Sequence, residues 1–339
     1  RARRLAERAS SSSERLSSET GALLLAQLSE IVDNPEQAYK RYASLSKDTS
    51  EPVAVKAELY RLDLGVRLGH ITPIEAADQL ESLRFRWRGD DTEMATVGIL
   101  ADQYMRLGRF REALSLARHA ALREPDAPGA YELYQRVGDY FRRLFLEGEA
   151  DRMDPIQALA LFEEFKDETP NNNDGDRMVR KLARRLVAFD LLDKATTLLQ
   201  HQVDNRLRGQ AKAAIAVDLA SLYLMDREPE QALAAISASR QPRLPKALAK
   251  ERRLLEAASY RDMGRYDHAI ELLEGVEGKN AADIRADAFW RAEQWSDAAK
   301  ALADMLPPPE AAGPKDMTIA LRAAIAGRMG RQLGLLSQL

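Results

Sequence analysis

Apolar residues along the chain recur at helical spacing, and small residues are set among them at a longer, regular interval. The stretch "YMRLGRFREALSLARHAALREP" (104–125) shows the unit. Tyr104 closes one apolar stripe, Gly108 and Phe110 mark a turn, Ala113, Ala117 and Ala120 share one helix face, and Pro125 ends it. This pattern predicts a helical hairpin whose helices cross at Ala113, where a larger side chain would hold them apart.

With Ala113 as reference, equivalent alanines fall at Ala38, Ala76, Ala158, Ala195, Ala232, Ala269 and Ala298. The successive intervals are 38, 37, 45, 37, 37, 37 and 29. Four residues after each comes a further core position: Tyr42, Leu80, Ala117, Phe162, Leu199, Ile236, Leu273 and Leu302. Second helices are therefore predicted to begin near Pro35, Pro73, Phe110, Pro155, Leu192, Pro229, Tyr266 and Trp295. Asn34-Pro35, Thr72-Pro73 and Asp154-Pro155 each put a capping side chain before a proline suited to the first helical position. One hairpin cannot bury its apolar face alone, so the units must stack.

Large, small, aromatic, Gly, aromatic, Ala and Pro in this order resemble the tetratricopeptide repeat (TPR), a unit of about 34 residues. Residues 94–127 match it best, through Leu100, Ala101, Tyr104, Gly108, Phe110, Ala113, Ala120 and Pro125, and "YRDMGRYDHAIELLEGV" follows closely. The resemblance implies an all-α, TPR-like right-handed α-solenoid of about seven to eight degenerate hairpins. "LRFRWRGDD", "FLEGEAD", "GDRMVRKLARRLVAFDLLDKA" and "LPKALAKERRLLEA" are similar to segments of long alphaproteobacterial proteins with such repeats. That narrower resemblance implies an envelope or cell-organisation role, with the periplasm favoured over the cytoplasm.

The solenoid is expected over 19–330. Residues 1–18, with four consecutive serines and an excess of arginine, read as a flexible linker or frayed helix. Residues 331–339 read as the start of a further helix, so the array is expected to continue. Eight extra residues between Phe141 and Ala158 predict a lengthened first helix and a loop from Gly148 to Asp154. That insertion is either tolerated or a protruding docking element.

Composition agrees with a helical, folded chain: of 339 residues, 45% are hydrophobic and only 6% aromatic. A net charge of −3 does not mark a polyanion binder. There is no cysteine, which excludes disulfides and thiolate chemistry. The four histidines stand far apart, so no HExxH zinc site is present, and no Gly-rich phosphate loop occurs. "NNNDGD" at 171–176 has Lys181 where a calcium loop needs Glu and reads as a turn. In "RFRWRGDD" the Arg–aromatic alternation would suit nucleic acid, but Phe85 and Trp87 are expected to pack at a hairpin end, their arginines solvated. No enzyme activity, cofactor, metal, nucleic acid partner or membrane span is expected.

The candidate site lies on the first helices, whose inner face lines the concave side of such arrays. Counting from Ala195 puts Arg177, Arg180 and Arg184 on one face. The preceding unit adds Arg142 and Arg143, and the next adds Ala214, Val217, Leu224 and Met225. A basic wall beside an apolar floor would suit a protein or peptide partner bearing acidic residues. The arginines would repel one another, with Glu132, Asp139 and Asp176 as partial counter-charges. The resulting expectation is a non-catalytic interaction scaffold in a larger complex. The alternative is a rigid component of a bacterial envelope or flagellar-motor assembly, contacting neighbours by its ends and convex face.

Overall fold

The computed structural model describes residues 2–32, 34–88, 91–307 and 313–332. Among them there are α-helices and short 3-10 and π-helical turns, and no strand. A first helix, α1 (Ala2–Ser10), precedes paired helices: α2 (Arg15–Ile31) with α3 (Pro35–Asp48), α4 (Glu51–Leu68) with α5 (Pro73–Arg86), and α6 (Asp91–Arg106) with α7 (Phe110–Arg123). Then come α8 (Ala130–Arg142) and α9 (Pro155–Glu164), α10 (Asn173–Ala188) with α11 (Leu192–His201), and α12 (Gly209–Met225) with α13 (Pro229–Ala238). The last are α14 (Lys246–Asp262) with α15 (Tyr266–Leu272), α16 (Lys279–Arg291) with α17 (Trp295–Ala303), and α18 (Pro314–Met329). Every second helix starts at the residue the repeat phase predicts.

Packing explains the phase. All eight reference alanines are fully buried, and so are the residues four positions later. The contacts form two compact units, residues 1–152 with 160–169 and residues 153–159 with 170–339. In the first unit α2, α4, α6 and α8 pack each on the next, while α3, α5 and α7 each pack on the first helix that follows. In the second, α10, α12, α14 and α16 form the same row, with α11, α13 and α15 intercalated. Each unit is thus a TPR-like stack. Enlarging a crossing alanine should overpack it. Ala113→Leu or Ala232→Leu is expected to cost about 1–3 kcal/mol, and an unchanged urea midpoint would show the crossing to lie elsewhere.

The helix ends follow local chemistry. Asn34 accepts from the Gln37 N–H at 3.3 Å, Thr72 and Glu75 form a reciprocal capping box, and Asp154 accepts from Ile156 N–H at 2.9 Å. "NNNDGD" is also a cap: Asn172 accepts from the Asp174 and Gly175 N–H groups at 2.9 and 3.3 Å. Between several of the paired helices one residue turns left-handed. It is glycine at Gly108 (φ 73°) and Gly264 (φ 77°), but Asp190 (φ 60°), Arg227 (φ 62°) and Glu293 (φ 57°) hold the same conformation elsewhere. The degenerate repeats have lost the glycine but not the turn it suits.

Residues 1–18 contain α1, which lies on α2. A Cβ on Gly21 would run into the Ala9 and Ser10 backbone, and Ser18 Oγ donates to the Ser10 carbonyl at 2.8 Å. At the other end α18 carries an exposed stripe of Met317, Leu321, Ile325 and Met329. The further helix expected over 331–339 lies, from residue 333 onward, outside the described residues.

The insertion turns inward. α8 runs on as a π-helical turn over Arg143–Glu147, stops at Gly148 (φ 99°) and continues as a 3-10 turn over Glu149–Arg152. Leu144, Phe145 and Ala150 are buried. The first helix is longer, as the count of extra residues required, but the reading as a protruding docking element is corrected: apolar side chains in the insertion draw it onto the core.

Candidate functional site

On α10, Arg177 and Arg184 are exposed and Arg180 is half-buried, so the three share the outward face. Their charges are not equivalent. Arg177 stands 3.5 Å from Asp174, one turn earlier, while Arg180 reaches across to α12, where its Nε lies 2.7 Å from Asp218 Oδ2. Arg184 makes no ion pair among the described residues. The expectation of three mutually repelling arginines is therefore corrected at Arg180, whose charge Asp218 balances. Burial pushes the Asp218 carboxyl above the usual carboxylate range, against the pull of Arg180 and Arg184.

Behind this pair lies a cavity of about 210 Å³ between α10, α11 and α12. Ala183, Val187, Leu199 and Leu222 form its apolar floor, with Arg180, Arg184, Asp218 and Ser221 around it. Arg180 and Arg184 belong to it; Arg177 does not. Of the α12 residues expected on this face, Ala214 and Leu224 are half-buried and Met225 is 60% exposed. Val217 is 3% exposed and belongs to the core, a correction. The error is one of helical phase: the outward lane runs through Ala214, Asp218 and Ser221, and Val217 lies on the other side of it.

Arg142 and Arg143 are in the first unit. Arg142 is exposed, with Glu147 at 4.0 Å, and Arg143 is paired to Glu149 at 2.8 Å. Glu147 and Glu149, both in the insertion, supply counter-charge here. Asp176, expected to offset the α10 arginines, instead lies 3.4 Å from Arg206.

Similar ion pairs join successive first helices within each unit. Arg136 of α8 meets Asp102 of α6 at 2.5 Å, with the Tyr140 hydroxyl donating to the same carboxylate at 2.6 Å. Arg322 of α18 meets Asp287 of α16 at 3.1 Å, and Arg261 of α14 approaches Asp287 at 3.6 Å. Asp102 and Asp287 each stand 11 residues before their reference alanine, Ala113 and Ala298. The residue at that place before Ala195 is Arg184. Where two other repeats hold a carboxylate paired internally, this one presents a cation with no ion pair among the described residues.

No family model and no curated protein matches the chain. Solved structures with which it overlaps include the P58(IPK) TPR domain, at 13% identity over 93% of this chain and 89% of that one, TM-score 0.31. BtubC (BKLC) from P. vanneervenii overlaps at 16% identity over 91% and 96%, TM-score 0.28. NprR in complex with its cognate peptide NprX does so at 12% identity over 94% and 98%, TM-score 0.29. With scores this low, the TPR-like assignment rests on the buried alanines, the turns and the stacking order described above.

Among the described residues no group of three or more His, Asp or Glu side chains is placed to hold a metal ion. No described helix is long and apolar enough to cross a membrane.

Proposed function

We propose that the chain is a non-catalytic interaction scaffold whose second unit binds a protein segment carrying an apolar side chain next to a carboxylate. The observation that carries this reading is the cavity under Arg180 and Arg184: an apolar floor large enough for one side chain, beside an arginine that makes no ion pair among the described residues. The apolar side chain would enter between Val187, Leu199 and Leu222, and the carboxylate would take the Arg184 guanidinium as a charge-assisted fork. Met225 extends the apolar surface on α12.

Panning a displayed random-peptide library on the full chain should enrich peptides with Asp or Glu adjoining Leu, Met or Phe. Arg184→Gln should weaken those peptides by about tenfold or more, as expected for loss of a hydrogen bond to a charged group, with stability changed by no more than about 0.5 kcal/mol. Unchanged binding by this variant would defeat the reading. Arg180 is unsuited to the test, because reversing it to Glu would set two carboxylates together at Asp218.

The second reading is a rigid component of a bacterial envelope or flagellar-motor assembly. Its support is the set of internal ion pairs at Asp102 and Asp287, which neutralise first-helix charge that a docking groove would leave available. A library that enriches no peptide favours it.

A further inference from the structure

We propose that the first unit holds a second site, for a phosphomonoester, on the side formed by its second helices. This goes beyond the scaffold reading and does not depend on it. The site is a cavity of about 230 Å³ where the end of α5, the first turns of α6 and the last turns of α7 meet. Arg84, Phe85 and Arg88 line it from α5 and the residues after it, Glu93 from α6 and Arg123 from α7.

Phe85 does not pack at the hairpin end as the sequence suggested. It is 62% exposed, and two guanidiniums lie against its ring, Arg84 at 5.0 Å and Arg88 at 5.8 Å from the centroid. Neither arginine has an acidic partner among the described residues. Arg123 is held differently, 2.6 Å from the buried carboxylate of Glu93. The ring and the buried carboxylate thus place three cations around one opening before any ligand arrives, which lowers the ordering cost of binding.

Charge and size select the ligand class. Three guanidiniums against one carboxylate give the lining a formal charge of +2, with His119 counted neutral. A phosphomonoester carries about −1.5 to −2 at pH 7, so it balances this charge where a single carboxylate would leave one guanidinium over. Its three oxygens suit planar guanidinium forks. The volume lies below the ~300 Å³ at which pockets for drug-sized ligands begin. That suits a phosphorylated side chain or a small phosphate ester, its carbon body against Phe85, Val97 and Leu116.

Calorimetry on the full chain at low salt, with phenyl phosphate and phenylacetate as probes, tests this. Phenyl phosphate should bind at least about tenfold tighter than phenylacetate. The Arg84→Gln/Arg88→Gln double variant should weaken it by at least about tenfold, Phe85→Ala should weaken it too, and Arg86→Gln, outside the cavity, should not. All variants should keep the parent helicity. A phosphotyrosine peptide binding tighter than phenyl phosphate assigns the site to phosphorylated proteins, and equal binding assigns it to small esters; both sustain the proposal. No heat with phenyl phosphate, equal binding of phenylacetate, or full affinity in the double variant overturns it.

Discussion

Replacing Arg252 by Ala is expected to lower the unfolding free energy by about 2–4 kcal/mol, one of the largest single losses available in the second unit. Arg252 lies in the first half of α14 and is only 6% exposed, yet no carboxylate among the described residues is in ion-pair reach. Its guanidinium donates to the Ile236 carbonyl at 2.6 Å, to Ser239 Oγ at 2.9 Å and to the Ala213 carbonyl at 3.1 Å. Two of these acceptors end α13, the negative pole of its helix dipole, and the third lies on α12. One side chain thus fastens three consecutive helices. Burial pushes the guanidinium below its ordinary value, as desolvation of a cation must. Arg252→Met separates the contributions: it keeps much of the buried stem and removes the donors, so it should recover part of the loss but not all. If Arg252→Ala moves the urea midpoint by less than the equivalent of about 1 kcal/mol, the three hydrogen bonds do not fasten the stack.

The repeat phase was legible because its cause is steric and local. A crossing tolerates only a small residue, so Ala38, Ala76, Ala113, Ala158, Ala195, Ala232, Ala269 and Ala298 mark it whatever surrounds them. The caps at Asn34, Thr72 and Asp154 were legible for the same reason, since each acts on residues two or three positions away. The candidate site was read only in part. Arg180 and Arg184 were found from helical position alone, but the pairing of Arg180 with Asp218 depends on which lane of α12 faces α10. An error of one residue in that phase put core Val217 on the surface and passed over Asp218 and Ser221. A signal was present: Asp218 interrupts the apolar run from Ala213 to Ala220, where a charge demands a partner. Arg252 gave no such signal, because its acceptors are main-chain carbonyls, which every sequence possesses. Phe85 misled because an exposed aromatic and a core aromatic look alike in a sequence, and only the fold distinguishes them.

The insertion after α8 offers a test of how the first unit is held. Phe145, in the π-helical turn, is expected to cost about 3–5 kcal/mol when replaced by Ala, far more than a tolerated surface loop would. It is 4% exposed, 4.7 Å from the ring of Phe141 and 5.1 Å from that of Phe162, and Phe141 and Phe162 are themselves 5.4 Å apart. Three mutually touching rings bury more apolar surface than any pair, and the edge-on contact of Phe145 with Phe162 adds a favourable quadrupole arrangement. An α-helix continued regularly from Arg142 would carry position 145 a further 100° or so per residue around the axis. Four residues past Phe141, Phe145 therefore returns to nearly the same face, and the π-helical turn over Arg143–Glu147 then ends at left-handed Gly148. If the triad is what draws the insertion inward, Phe145→Ala should also raise amide exchange across 143–152 well above that of α6. Phe145→Leu, which keeps most of the volume, should restore much of both. A Phe145→Ala protein with stability within about 1 kcal/mol of the parent and unchanged exchange there would mean that the turn is held by Leu144 and the Arg143–Glu149 pair instead.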